Sequence, residues 1–328
     1  MTVPACEAAN EDELPQAIGA DPHWQESVVL IYFDEKAGIG GFHRIGHEPH
    51  WGEGKGKMIS WAGVGTRDGH RFARNLQEPF RQEDRLDKGF GCTSAYRLDV
   101  SNGIHWEIDD GPYRASLVAE DYSPSVNPFP HSGESVTDQF APRHWETGGR
   151  VRGTVHLGDQ KYEIDGLCYR DHSWGKRDWA SLASHRWVAG TVGPELTFCA
   201  ASWQSSDGGL ASFGYVVRNG KFELAAHTDI VAYMEIDATT NRGGEVTLKL
   251  HDGEIIKFRA DPVVPGFLSE NNNVHCVDQL CTIIYQGKRG FCDFETTNNP
   301  RLGSSTLLSL VNNGDAHGLS KDNSRAWG

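Results

Sequence analysis

No run in the chain approaches the ~20 consecutive apolar residues that a membrane helix needs. With a mean hydropathy of -0.51, this argues against a membrane span. There is no C-x-x-C pair. The seven cysteines (Cys6, Cys92, Cys168, Cys199, Cys276, Cys281 and Cys292) are odd in number and scattered, which argues against a disulfide framework and against structural zinc. Reduced thiols suit a cytoplasm. The start, Met1 to Glu7, turns acidic at once and lacks the basic stretch and apolar run of a secretion signal, so the expected location is cytoplasmic. Basic charge is also short: 31 Lys and Arg face 45 Asp and Glu, a net charge of -14. Such a field repels phosphate backbones and anionic lipid, and no nucleic-acid partner is expected.

Other absences concern chemistry. Gly52 to Lys57 (GEGKGK) lacks the G-K-[ST] ending of a phosphate loop, no G-x-S-x-G elbow exists, and no dinucleotide fingerprint is present. His43, His47 and His50 surround a glycine-containing turn with no helix to bring them onto one face, so a solvated loop is favoured over a metal site. Cys276, beside His275 and close to Asp278, falls in an expected loop and makes a weak nucleophile candidate. The expectation is no metal and no cofactor.

What the chain has in excess is glycine, 38 of 328 residues, against roughly 7% in average proteins. Turns should dominate over long helices. Ile104, Trp106 and Ile108 alternate with His105, Glu107 and Asp109, and Tyr113, Ala115, Leu117 and Ala119 alternate with polar neighbours. The period of two marks strands with one apolar face, and Asp109-Asp110-Gly111-Pro112 supplies hairpin-turn chemistry. Further strands are expected over 28–33, 39–45, 58–64, 96–100, 151–157, 161–169, 185–192, 196–203, 211–218, 222–235, 246–250, 254–259, 279–286 and 289–294. Short strands at ~10-residue spacing read as all-β sandwiches or barrels.

The polar residues 1–26 form a leader with one short helix near Glu11 to Ile18. Asp121 to Pro142, rich in proline and polar residues, is the expected domain boundary. The expected units are 27–142 and 143–300, followed by a C-terminal segment and tail over 301–328. A second irregular stretch, Asp261 to Val274, is expected to be a lid or site wall.

One segment concentrates chemistry: Gly166-Leu167-Cys168-Tyr169-Arg170-Asp171-His172-Ser173-Trp174-Gly175-Lys176-Arg177-Asp178-Trp179. Asp171 beside His172 offers a carboxylate and an imidazole for proton transfer near neutral pH. Because adjacent residues of an extended chain point to opposite faces, a direct pair requires the chain to turn. Trp174 and Trp179 offer π faces for an apolar substrate or an electron-deficient carbon. The bland alternative is a structural Asp171–Arg177 ion pair with core tryptophans. Arg143-His144-Trp145-Glu146 and His185-Arg186-Trp187 form a second candidate group, which a meander of strands could bring near Asp171.

The stretch from Asp165 to Trp179, with its R-D-H-S-W-G-x-R-x-W core, resembles a lipocalin-like superfamily similar to AttH-like proteins and carotenoid 1,2-hydratases. Ala37 to Gly46 (AGIGGFHRIG) looks like the opening motif of the same proteins. With His144-Trp145-Glu146 leading into Gly149-Arg150-Val151, the resemblance covers most of 28–300. It implies an all-β fold of two consecutive lipocalin-like β-barrel or sandwich domains with few short helices, and a ligand cleft between or within them. Relatives include hydratases and fungal cyclases of the Diels-Alder type.

The resulting expectation is a cofactor-independent lyase that adds or eliminates water on a hydrophobic small molecule (terpenoid, steroid or aromatic), or a related isomerase or cyclase. Asp171, His172 and Arg177 are the expected catalytic residues. Trp174, Trp179, Arg170, His144, Glu146 and Trp187 are the expected substrate contacts. The competing class is a non-catalytic carrier whose Asp-His-Arg cluster staples the domains together, and an accessory subunit has weaker support.

Overall fold

The period-two alternation is realised as strand over most of the chain. The computed structural model describes residues 10–132, 139–235, 240–272, 274–302 and 318–321. Cys6 and most of the expected tail lie outside these residues. The strands up to the motif are β1 (Trp24–Asp34), β2 (Ile39–Glu48), β3 (Lys57–Thr66), β4 (His70–Pro79), β5 (Arg85–Leu86), β6 (Gly89–Cys92), β7 (Tyr96–Asp99), β8 (Ile104–Asp110), β9 (Tyr113–Asp121), β10 (Arg143–Leu157) and β11 (Gln160–Lys176). After it come β12 (Leu182–Thr191), β13 (Thr197–Ser205), β14 (Leu210–Arg218), β15 (Lys221–Met234), β16 (Asn241–Leu250), β17 (Ile255–Pro262), β18 (Phe267–Asn271), β19 (Val274–Asp278), β20 (Leu280–Tyr285), β21 (Lys288–Asn298) and β22 (Gly318–Lys321). Among the described residues no helix is long and apolar enough to cross a membrane.

Two sheets result. The first has twelve strands in the order β22-β4-β3-β2-β1-β11-β10-β9-β8-β7-β6-β5 and curls as a half-barrel. In the second, β12-β13-β14-β15-β16-β17-β20-β21 closes through a β12–β21 pairing into an eight-stranded barrel, with the β18–β19 hairpin attached to β21. The expected 104–119 hairpin forms with Asp110 opposite Tyr113.

The change of sheet falls at 177–181, between β11 and β12, and not at 142/143 where the sequence reading put it. Strands β10 and β11 pair with β9 and β1, so they complete the first sheet. The expected linker at 121–142 instead folds back on that sheet: Val126 bridges Glu146 and Phe140 bridges Arg177. Its buried phenylalanines, Phe129 and Phe140, explain why a proline-rich stretch is not a loose tether. The expected irregular stretch 261–274 contains β18, while the expected leader helix is only a 3-10 turn at Asn10–Glu13.

Three apolar clusters form. One fills the half-barrel (Tyr32, Phe72, Trp106, Tyr113) and one fills the closed barrel (Phe198, Leu248, Phe258, Phe294). The third lies in the seam, where Val29, Phe42, Trp61 and Tyr169 of the first sheet meet Trp187, Trp203, Phe213 and Tyr215 of the barrel wall. Full burial of one large apolar side chain is worth roughly 1.5–3 kcal/mol, so the seam binds the two sheets firmly. Close approach there needs glycine. A Cβ on Gly148 would stand 2.3 Å from Thr197 Oγ1, and one on Gly63 would stand 2.3 Å from the Phe267 ring.

Candidate active site

Register across five strands of the first sheet sets one row of side chains on the seam face. Trp61 of β3 pairs with Arg44 of β2, Arg44 with Val29 of β1, Val29 with Asp171 of β11, and Asp171 with Glu146 of β10. The adjacent row carries Ser27, Ser173 and His144. Because residues two apart share a face of a strand, Asp171 and Ser173 turn toward the seam, whereas Arg170, His172 and Trp174 turn away. The barrel contributes His185 and Trp187 from β12, Trp203 from β13 and Glu295 from β21. Together with Phe129 and Phe140 these groups line a cavity of about 60 Å³. Arg177 and Trp179 also line an outer chamber of about 450 Å³, walled besides by Trp24, Trp51, Gln77, Glu270 and Asn272.

Asp171 and Glu146 are directly opposed on neighbouring strands, an arrangement that like charges disfavour. His144 relieves it. Its Nε2 lies 3.4 Å from Asp171 Oδ2 and 3.4 Å from Glu146 Oε1. On its other oxygen, Glu146 accepts hydrogen bonds from Tyr169 Oη at 2.9 Å and Tyr215 Oη at 2.6 Å. Burial pushes the Glu146 carboxyl above the usual carboxylate range and the Asp171 charge adds to this; His144 and Tyr215 offset it in part. Asp171 Oδ1 is buried and has no hydrogen-bond partner. His144 Nε2 thus stands within ion-pair distance of both carboxylates without hydrogen-bonding either, and Asp171 lies at the cavity wall.

Two guanidinium groups complete the lining. Arg44 lies 4.4 Å over the Trp61 ring, and its Nη1 and Nη2 have no hydrogen-bond partner. Arg177 lies 4.7 Å over Phe140 and 5.7 Å over Trp179, and donates from Nη2 to Ser173 Oγ at 3.0 Å, while its Nε has no partner. Burial, and next the like charge of Arg44, push Arg177 down to about 10; burial also pushes Arg44 down. His185 Nδ1 lies 3.4 Å from Glu295 Oε1.

Of the residues expected from sequence, Asp171, Arg177, Trp179, His144 and Trp187 line the cavity, and Glu146 stands directly behind His144. His172 does not. β11 runs extended to Lys176, so the turn that a direct Asp171–His172 pair requires never occurs. His172 instead bonds Glu26 Oε1 at 2.9 Å through Nε2 and the Asp12 carbonyl at 2.7 Å through Nδ1. Arg170 binds Glu13 and Asp121, and Trp174 packs on His172 with ring centroids 4.8 Å apart. Arg170 and His172 thus hold the leader, and Trp174 backs His172. They are corrections to the expected catalytic and substrate-binding sets, and they follow from the strand period. The structural Asp171–Arg177 ion pair does not form among the described contacts.

Sequence reasoning missed Arg44, Trp61, Trp203 and Glu295. Arg44 carried a usable signal, since it shares a strand face with Phe42 inside an otherwise buried strand. The other discounted groups are structural. His43 hydrogen-bonds Tyr113 Oη at 2.5 Å, and burial pushes it down to about 3; His47 bonds the Gly91 carbonyl at 2.8 Å. Cys276 is the exception, as it lines the cavity; it sits in β19, not in a loop, and burial pushes its thiol well up. Among the described residues no cluster of metal-ligating side chains occurs.

Fold and site together define a class: a half-barrel packed on a closed barrel, with a buried Glu146–His144–Asp171 cluster and two arginines enclosed in the seam. The chain belongs to the DUF7064 family, a domain of unknown function, whose model matches residues 9–300. The fold is shared with a protein named as an AttH from Nitrosomonas europaea (TM-score 0.63, 11% identity, 91% of this chain and 98% of that one). It is also shared with CghA in complex with Sch210972 (TM-score 0.62, 11% identity, 90% and 92%) and with kievitone hydratase from Nectria haematococca (TM-score 0.64, 8% identity, 90% and 94%). Comparison with curated protein sequences gives no match.

Proposed function

We propose that the protein is a lyase that adds or eliminates water on a hydrophobic small molecule by acid/base catalysis in the seam cavity. The observation that carries this reading is the Glu146–His144–Asp171 cluster, buried at the wall of an aromatic-lined cavity with Asp171 Oδ1 unpartnered, which we read as a proton relay. Asp171 touches the substrate and moves the proton. His144 passes it on, and Glu146, which burial holds toward the neutral form, keeps a proton available to the pair. Water addition and elimination are redox-neutral and need only an acid, a base and a place to exclude bulk solvent. Two proteins of the same fold support the reading: one is named a hydratase, and the other has a small molecule bound. Terpenoid, steroid and aromatic compounds suit the wall of Trp61, Trp179, Trp187 and Trp203.

The test is incubation with a panel of such alcohols, alkenes and enones in deuterated water, followed by mass spectrometry. A product shifted by one water, or deuterium at carbon, is expected and should fall ~10²–10⁴-fold in Asp171→Asn with the fold intact. A ligand that is retained chemically unchanged, or full turnover in Asp171→Asn, would move the protein to the carrier class.

A further inference from the structure

We infer that the cavity binds an enolisable carbonyl compound through its oxygen, with Arg44 and Arg177 as the oxyanion-stabilising pair. The inference rests on the acid/base reading above for the reaction class, and on separate groups for the binding site. Both guanidiniums are more than nine-tenths buried. Their unmet donors, Arg44 Nη1 and Nη2 and Arg177 Nε, are joined by the indole N–H groups of Trp61, Trp179 and Trp203, which are also buried without a partner. Buried donors left unmet are costly, and here they outnumber the unmet acceptors of the same lining. The complementary ligand presents an oxygen rich in lone pairs.

The arrangement also favours one of two routes for adding or removing water, although the Asp171 and Glu295 carboxylates of the same lining offset part of the guanidinium charge. Protonating an isolated alkene creates a carbocation, which two desolvated guanidinium charges repel. Three of the lining rings already face a cation, since Arg44 covers Trp61 and Arg177 lies over Phe140 and Trp179. Removing a proton next to a carbonyl creates an enolate, which the same charges attract. In the elimination direction Asp171 takes the α-proton, and the C–H electron pair moves into the C–C bond as the carbonyl oxygen becomes an anion facing the arginines. The enolate then re-forms the carbonyl and expels the β-hydroxyl, which leaves as water with a proton returned through His144. Hydration is the reverse, and no oxidant or reductant takes part. The reacting carbon therefore lies beside the bound oxygen, within the inner cavity, and the body of the molecule extends past Trp179 into the outer chamber.

The probe is 4-nitrophenol, whose absorption distinguishes phenolate from phenol, with 4-nitroanisole as the form that cannot ionise. Wild-type protein should bind the phenolate, raising the ratio of phenolate to phenol at least tenfold over free solution at the same pH, and should bind the anisole at least tenfold more weakly. Arg44→Met and Arg177→Met should each remove most of that enrichment while the melting temperature does not fall. Arg44→Lys, which keeps charge but not the planar donors, should retain part of it. Binding as the neutral phenol, equal affinity for the anisole, or no binding of either overturns the inference. Asp171→Asn should leave phenolate binding intact. If it does so yet also retains full turnover, the acid/base reading fails and the anion site stands.

Discussion

Substituting His172 by alanine separates the two faces of the motif strand. The side chain loses a hydrogen bond to the buried Glu26 carboxylate and one to the Asp12 carbonyl, and with them its edge contact to Phe90. A bond to a charged partner is worth about 1.5–3 kcal/mol and a neutral one about 0.5–1.5 kcal/mol. The loss is therefore roughly 2–4.5 kcal/mol, a fall in Tm on the order of 10 °C. Glu26 keeps its ion pair with Arg85 at 2.6 Å and its bond from the Gln16 amide, so it is not left alone. Burial pushes Glu26 up, but the His172 hydrogen bond and the charges of His172 and Arg85 hold it below the usual carboxylate range. A lowered native value contributes stability above the unfolded carboxylate range, lost as pH falls through the native value. The gap between wild type and variant, measured by calorimetry across pH 3–7, should therefore close on the acid side. On the turnover assay, His172→Ala measured below its melting point should keep activity within a few-fold of wild type. An unchanged Tm with abolished turnover would place His172 in the chemistry and refute the facing argument.

Three further outcomes follow from the same geometry. Arg44→Met exchanges two unmet buried donors, at about 1–3 kcal/mol each, for an apolar chain, and loses a cation–π contact of up to ~2 kcal/mol; the ligand-free protein should gain about 1–3 kcal/mol in denaturant unfolding, whereas a loss would make Arg44 a structural staple. Asp278 and Asp293 are buried and their carboxyls are pushed well up by burial and by neighbouring carboxylates. Raised native values mean stability that is present below the ordinary aspartate range and lost as pH rises through them, so Asp293→Asn should flatten the decline of Tm toward alkaline pH, and an unchanged slope would be the contrary result. Glu146→Gln keeps an acceptor for Tyr169 and Tyr215 but removes the relay's proton store; the pH–rate profile should lose its alkaline limb with Tm changed by only a few degrees, and an unaltered profile would remove Glu146 from the relay.

Much of the architecture was legible because strands with one apolar face announce themselves by a period of two, as in Ile104–Ile108 and Tyr113–Ala119. The sheet boundary was not. Residues 143–150 hold a histidine, a glutamate, two arginines and two glycines where a strand scan looks for apolar alternation, yet they pair with β11 throughout. The polarity of His144 and Glu146 reflects the seam they face, whereas Arg143 is exposed and Arg150 pairs with Asp165 at the surface. Phe129 and Phe140 were likewise hidden in a segment whose prolines suggested a linker.

Of the motif strand, the sequence by itself determined only that neighbours on an extended strand face opposite ways, so that Asp171 and His172 could pair only across a turn. That β11 runs extended to Lys176, with Asp171 and Ser173 on one face and Arg170, His172 and Trp174 on the other, came from the structure. The sequence also placed Glu146 with His144. It could not say which face meets the cavity, since either face of a sheet can be buried here: the half-barrel core lies on one side and the barrel seam on the other. Only the tertiary structure decided this, by slotting β1 between β2 and β11. That register carries Arg44 into the row of Asp171 and Glu146 across well over a hundred residues of chain, a proximity that no local spacing encodes.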